Sequence, residues 1–316
     1  MWRVEPYTAY YPKGISPIDD SILKMSFTKE SHVYQVSVGS QVVTNKLQEL
    51  YVSTLGAGLR DRRYHSEATL QEEVKNLANS TFESSIKPII SALEYMGEKP
   101  KYEETVHLYL NATAPGPLIN GDVLKNINHK VVKTSGDIQN LLNEKPTLLT
   151  LEIERSGRPV RISMTAEEFA ASANASNMRV GTRVDVVQKL PIQTYYDSEM
   201  QGDSNGLAKA IEIIHQFSTK DLIMDRKIIA TGSIQVDGTI TRVGGLEYKL
   251  LALEDEKFDI FLVPESNRTE VEMVLNSGML KRVGGEIRFV KNIHEVISLL
   301  EQTRSGDKDD KVKFGS

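Results

Sequence analysis

Cysteine is absent from the 316 residues. With it go thiol nucleophiles, disulfides and cysteine-based zinc sites. That absence suits an oxidising compartment as well as a reducing one, so it does not fix where the protein works. The six histidines, His32, His65, His107, His129, His215 and His294, fall in no H-E-x-x-H motif or other metal-ligand spacing. Neither a metal nor any other cofactor is expected. No G-x-x-x-x-G-K-[ST] loop is present, which excludes an ATP-driven motor from this chain. No apolar run reaches the 18 residues of a membrane span, and no charged and apolar pair of segments marks a signal peptide. Basic residues do not predominate. The net charge of −5 leaves no face to neutralise phosphates, so nucleic acid is not a partner. Aromatics are sparse. Trp2, Tyr7, Tyr10 and Tyr11 nevertheless crowd the start, where they suit a half-buried edge strand or a membrane interface.

What remains is a soluble composition long enough for two or three domains, without internal repeats. Residues 1 to about 43 alternate as strands, with turns at Pro12-Lys13-Gly14 and Lys29-Glu30-Ser31. Leu47, Leu50, Tyr51 and Leu55 share one helical face that Gly56 ends. From Ser66 the stripe Leu70, Val74, Leu77, Phe82, Ile86 and Ile90 predicts a long helix, kinked or split by Pro88. Short strands follow from 101, with Val106, Leu108 and Leu110 on one face. A strand, a polar turn at Asn128-His129 and a second strand cover 121–132. Ser135 opens a helix through Asn143, and a hairpin turns at Arg155-Ser156-Gly157-Arg158. Residues 166–177 read as a linker or edge helix. Beyond them strands and helices alternate, which predicts an α/β layer fold. Thr303–Ser316 is charged and apolar-poor, the composition of a disordered tail.

Two segments carry chemistry. Gly202-Asp203-Ser204-Asn205-Gly206 precedes an apolar helix, and Val243-Gly244-Gly245-Leu246-Glu247-Tyr248-Lys249 opens another. A serine hydroxyl is a weak nucleophile and needs a base within reach. A lysine serves only when burial lowers its pKa far below about 10.4. Lys249, between Leu246 and the run Leu250-Leu251-Ala252-Leu253, has the sequence for such burial. Thr231, on the strand between the two segments, can hold the amine. Gly202 and Gly206 allow a tight turn whose N–H groups, at Asp203 to Asn205 and the helix start, can form an oxyanion hole. Each piece has a plainer use: Asp203 or Ser204 also suits a helix N-cap, and Lys249 a surface.

The combination resembles the proteolytic domain of Lon-type proteases. There the nucleophile lies in Gly-Pro-Ser-Ala-Gly and the base ends Gly-Gly-Leu-Lys-Glu-Lys, at nearly the spacing of Ser204 and Lys249. Thr231-Gly232-Ser233-Ile234 falls where Lon has Thr-Gly-Glu-Ile, and Pro264-Glu265-Ser266-Asn267 matches its Pro-x-x-Asn. The resemblance covers 180–302. Gly121-Asp122-Val123-Leu124-Lys125-Asn126-Ile127-Asn128 resembles the PDZ hallmark Gly-Asp-x-Ile-x-x-Ile-Asn-Gly, over 101–165. A PDZ followed by a Lon-type domain without an ATPase resembles the bacterial PDZ-Lon proteases, which an N-terminal helix anchors outside the cytoplasmic membrane.

The resemblance implies a multidomain α+β and α/β chain: an N-terminal α+β region at 1–100, a PDZ-like β-sandwich or barrel at 101–165, a Lon-type α/β domain at 166–302 and the tail at 303–316. It implies an ATP-independent Ser-Lys endopeptidase with peptide or protein substrates, extracytoplasmic, joined to a membrane only through an anchor this chain lacks, and ring-like homo-oligomers as in Lon. Three departures count against it. Asp203 replaces proline, and its charge favours the ammonium form of Lys249. Asn205 replaces alanine and adds bulk beside the oxyanion position. Glu103 and Glu104 stand where a PDZ binds a C-terminal carboxylate, so capture of an internal segment along Thr105, Val106, His107 and Leu108 is expected instead. The alternative is an inactive PDZ and Lon-like binding module.

Overall fold

The computed structural model describes residues 3–19, 22–56, 63–64, 86–110, 115–172, 178–194 and 203–302. The expected helix from Ser66 through Phe82, the residues around Trp2, Gly202 and the expected tail lie outside them. The chain forms two compact units. One gathers 1–65, 85–99 and 191–316; the other is mainly 100–190.

The first unit is built on a six-stranded sheet. Its N-terminal strands are β1 (Arg3–Pro17), the short β2 (Leu23–Lys24), β3 (Val33–Asn45) and β4 (Arg63–Tyr64). β1 and β3 pair antiparallel from Arg3↔Asn45 to Pro17↔Tyr34. Pro12-Lys13-Gly14 does not reverse the chain. It makes a bulge, with Gly14 at φ +113°, and β1 runs on through it. Helix α1 (Lys46–Thr54) follows, its first turn capped by the Asn45 side chain. The expected apolar face is there, but turned outward: Leu47, Leu50 and Tyr51 are exposed and Val52 is buried. Helix α2 (Lys87–Tyr95) takes Pro88 into its first turn, where the missing N–H costs nothing, and runs on from it without a kink.

The second unit is one antiparallel sheet, with β5 (Tyr102–Leu110), β6 (Asp122–Ile127), β7 (Lys130–Val131), β8 (Leu148–Arg155), β9 (Arg158–Thr165) and β10 (Met178–Val186). The order is β10-β5-β6-β8-β9, with β7 on β6. Its helices are α3 (Ser135–Asn143), closed by a Thr134/Asp137 capping box, and α4 (Ala166–Ser172). Both hairpins turn where the sequence places them, at Asn128-His129 and Ser156-Gly157, all four residues at positive φ. Inside, Asp122 is 1% exposed and takes both Nε and Nη2 of Arg155 at 2.8 Å.

The chain then returns to the first unit with β11 (Gln193–Thr194), which pairs with β2. Helix α5 (Gly206–Phe217) is followed by β12 (Ile228–Ala230), the hairpin β13 (Ser233–Ile234) and β14 (Ile240–Thr241), α6 (Leu246–Leu251), β15 (Ile260–Pro264), α7 (Arg268–Asn276), β16 (Glu286–Val290) and α8 (Ile293–Gln302). The order is β16-β15-β12-β3-β1-β4, parallel from β16 to β3. Ile260-Phe261-Leu262-Val263 is an unbroken buried run, as a parallel strand covered on both faces requires. Each such side chain contributes about 2 kcal/mol on burial.

Two expected boundaries are redrawn. The N-terminal region does not stand apart up to residue 100, because β3 pairs with β12 and completes the sheet of the C-terminal segment. The strand at 178–186 goes to the second unit, because it pairs along the whole of β5.

Candidate active site

Ser204 lies in a turn feeding α5 and is half-buried. Its carbonyl oxygen accepts the Gly232 N–H at 2.8 Å and the Thr231 hydroxyl at 3.3 Å. Thr231 Oγ1 in turn accepts from Lys249 Nζ at 2.8 Å. Thr231 follows β12, whose neighbours β3 and β15 run parallel to it, so it stands at the carboxyl end of the strands. That edge is where open α/β sheets place their sites. Thr231 is fully buried and Lys249 is 3% exposed.

Burial pushes the Lys249 amine down to about 8, against the opposing pull of Asp203 and Glu270. At that value a working fraction is neutral near physiological pH. Lys209, on α5, is also buried and pushed down to about 8 by burial alone. Depressed basicity therefore does not single out a base. What distinguishes Lys249 is its bond to Thr231.

The helix carrying Lys249 is aimed by its surroundings. Gly245, its N-cap, has φ +71°, and a Cβ there would meet Val38 Cγ2 at 3.2 Å. Tyr248 packs near Tyr10, ring centroids 6.5 Å apart. The loop before it is held by Asn267, fully buried, whose Oδ1 accepts from Val243 N at 3.0 Å while Nδ2 donates to Val243 O at 2.9 Å. Nδ2 also reaches Glu270 at 3.0 Å.

The polar residues of the serine turn do not cap the helix. Asn205 is the N-cap residue, yet its side chain makes no cap bond. Its Nδ2 donates instead to Gln35 Oε1 at 2.9 Å, and Gln35 Nε2 donates to Ser16 Oγ at 3.0 Å. Gln35 is 2% exposed and stands in register with Ala230, one residue before Thr231. Asp203 accepts the Ser233 hydroxyl at 2.6 Å. The first helical N–H groups are taken, Gly206 by Asp203 O at 3.0 Å and Leu207 by Gly232 O at 2.9 Å. An oxyanion site at the helix start is thereby narrowed to the amides of the turn itself. Gly206 itself is required by packing, since a Cβ would lie 3.2 Å from Ile234 Cγ2 and 3.4 Å from Pro88 Cγ.

Gln35 and Ser16 have no motif, Ser233 is a motif residue without an assigned task, and sequence reasoning missed the roles of all three. The signal for Gln35 is faint: a polar residue beside Val33 and Val36 in a strand that becomes interior. Asn267 is visible as a motif residue but without a task.

The expected docking strand is corrected. Thr105, Val106, His107 and Leu108 lie on β5, which β10 covers along its full length on one side and β6 covers at Val106–Leu108 on the other. With both edges bonded, no peptide strand can add there. Val106 and Leu108 are core residues. A concavity of about 440 Å³ in the same unit, lined in part by Lys125, Asn126, Glu152, Glu154 and Arg161, contains none of the candidate residues. Among the described residues no three His, Asp or Glu side chains gather to hold a metal, and no helix is long and apolar enough to cross a membrane.

Residues 197–302 match the C-terminal proteolytic domain of Lon protease (S16), so this part of the chain is similar to a peptidase domain. The matched segment holds the serine turn, Thr231, Lys249 and Asn267. The mixed α/β architecture of the first unit is consistent with such a domain. No curated protein matches the chain.

Proposed function

We propose that the protein is an ATP-independent serine endopeptidase with Ser204 as nucleophile and Lys249 as base. The observation that carries this is the buried lysine amine bonded to Thr231 Oγ1, which itself touches the Ser204 carbonyl. Neutral Lys249 takes the Ser204 hydroxyl proton as Oγ attacks the scissile carbonyl. Turn amides between Asp203 and Asn205 hold the oxyanion. The ammonium then gives its proton to the leaving amine, and water, deprotonated by the same lysine, releases the acyl group.

The second unit, in this reading, is PDZ-like and presents peptides to the peptidase. Docking falls on the outer edge of β10, the end strand of its sheet, next to α3. This part rests on the sequence hallmark at 121–128 and on that edge, which no described strand covers. An extracytoplasmic location and ring assembly rest on the family resemblance alone.

A serine-reactive fluorophosphonate probe tests the proposal. It is expected to label the intact chain at Ser204, and not the Ser204→Ala or Lys249→Ala variants. Labelling undiminished by Ser204→Ala overturns the assignment. The second reading, an inactive binding module, is favoured by one observation: Asp203 and Asn205 depart from the Lon turn and are bonded into it by Ser233 and Gln35. A chain that binds peptides along β10 but is neither labelled nor active fits that reading.

A further inference from the structure

Asp203 immediately precedes Ser204 and is exposed. Its Oδ2 accepts from Ser233 Oγ at 2.6 Å, a distance typical of a charged acceptor. Ser233 is 3% exposed, so the carboxylate is tied to a fixed point of the protein beside the nucleophile. The other carboxylate that acts on Lys249, Glu270, is already taken by Arg242 Nη2 at 3.0 Å and Asn267 Nδ2 at 3.0 Å. Among the described residues Asp203 makes no ion pair with a lysine or arginine; its charge reaches Lys249, whose amine is bonded to Thr231 instead. A fixed, open, unpaired carboxylate next to a nucleophile is complementary to a cation that arrives with the substrate.

We propose that Asp203 is a specificity residue that selects peptides carrying a lysine or arginine side chain beside the scissile bond. The inference rests on the Ser204–Lys249 reading. A bound cation also offsets the negative potential at Lys249. Asp203 and Glu270 are the two groups that favour the lysine's charged form. With Asp203 neutralised by substrate, the base is freed at lower pH, so cationic peptides are cut faster for two reasons: they bind better, and they relieve the hold on the proton.

The experiment compares three fluorescence-quenched peptides, identical except for Lys, Leu or Glu flanking one bond, on the intact chain and on Asp203→Asn and Asp203→Lys. Asparagine still accepts the Ser233 hydroxyl, and the site is exposed, so neither variant opens a cavity. The wild-type chain is expected to favour the Lys peptide over the Leu peptide in kcat/KM by roughly fivefold at low ionic strength. The ratio falls toward one in Asp203→Asn, and reverses in favour of the Glu peptide in Asp203→Lys. Added salt erodes the wild-type ratio, as expected for a solvent-exposed pair. Cleavage of all three peptides at equal rates, or a ratio that Asp203→Asn leaves intact, overturns this inference and leaves the peptidase reading standing. If none is cleaved and the serine probe does not react, the peptidase reading fails and takes this one with it.

Discussion

Gln35 and Asn205 are 170 positions apart in the chain, and their side-chain amides meet at 2.9 Å under the serine turn. The contact makes an N-terminal strand part of the support of the Ser204 turn. Gln35→Leu is expected to lower kcat about tenfold with little change in KM, because the turn is misplaced while the peptide still binds. It also strands the amide of Asn205 and the hydroxyl of Ser16, at a cost of about 2 kcal/mol of stability. Urea unfolding and steady-state kinetics measure both. A variant as active as wild type would show that the contact does not position the turn.

The two buried lysines separate by function. Lys249→Met is expected to abolish turnover, whereas Lys209→Met retains it, since Thr231 holds only the former among the described residues. Lys249→Arg is also expected to be dead, because a guanidinium keeps its proton at working pH. Loss of turnover on Lys209→Met with an unaltered Lys249→Met variant would exchange the two roles.

Lys249 ties activity to pH in a stated direction. The base must be neutral, so kcat/KM rises with pH and levels off above about 8. Stability follows the same sign. The folded state holds the amine near 8 while the unfolded chain keeps it near 10.4, so the unfolded state binds more protons between these values. Stability attributable to this group therefore rises from about pH 8 to 10, and below pH 8 the burial cost is present in full. Lys249→Met removes it and is expected to stabilise the protein at pH 7 by on the order of 2 kcal/mol while inactivating it. A lower unfolding midpoint for this variant would contradict the argument.

Asn267 answers both backbone groups of Val243. Asn267→Asp removes the donor and sets a second carboxylate against Glu270. It is expected to cost about 3 kcal/mol and to lower activity; Asn267→Ala adds no charge but leaves both the N–H and the carbonyl of Val243 without this partner. Thermal unfolding against wild type decides it.

In the second unit, Asp122→Ala removes a buried carboxylate that takes both Nε and Nη2 of Arg155, while the partly exposed guanidinium keeps the Pro117 carbonyl. A loss of about 2 kcal/mol is expected. Hydrogen exchange should show it confined to strands β5 to β10, with serine labelling in the first unit preserved.

Much of this was legible in the residues themselves. Asn128-His129 and Ser156-Gly157 announce hairpins because few other pairs accept positive φ. Thr134 to Asp137 announce a helix start, and Ile260 to Val263 a covered strand. Ser204 and Lys249 were legible as two spaced motifs, and Thr231 links them: its Oγ1 accepts from Lys249 Nζ and donates to the Ser204 carbonyl. What escaped was long-range. Nothing local says that β3 lies beside β12, so the strands at 1–45 read as a separate region and Gln35 as a polar face residue. Nothing local says that β10 covers β5, so Thr105 to Leu108 read as an open edge. The Leu47, Leu50 and Tyr51 stripe has the period of a buried face and points outward, since periodicity reports a face and not what covers it.

The pairing of Val33 with Ile228 also sets an order in time. The sheet whose carboxyl edge holds Thr231 cannot close until residues on both sides of the 100–190 unit are present, because its strands come from both. Contacts of such sequence separation form slowly. During synthesis the growing chain passes through a long stage in which the inserted unit can fold while Gln35 and Ser16 wait for Asn205. Refolding is expected to show a fast phase from the inserted unit and a slower one that alone restores serine labelling, so under the proposed function activity would wait for the N-terminal strands to find their C-terminal partners.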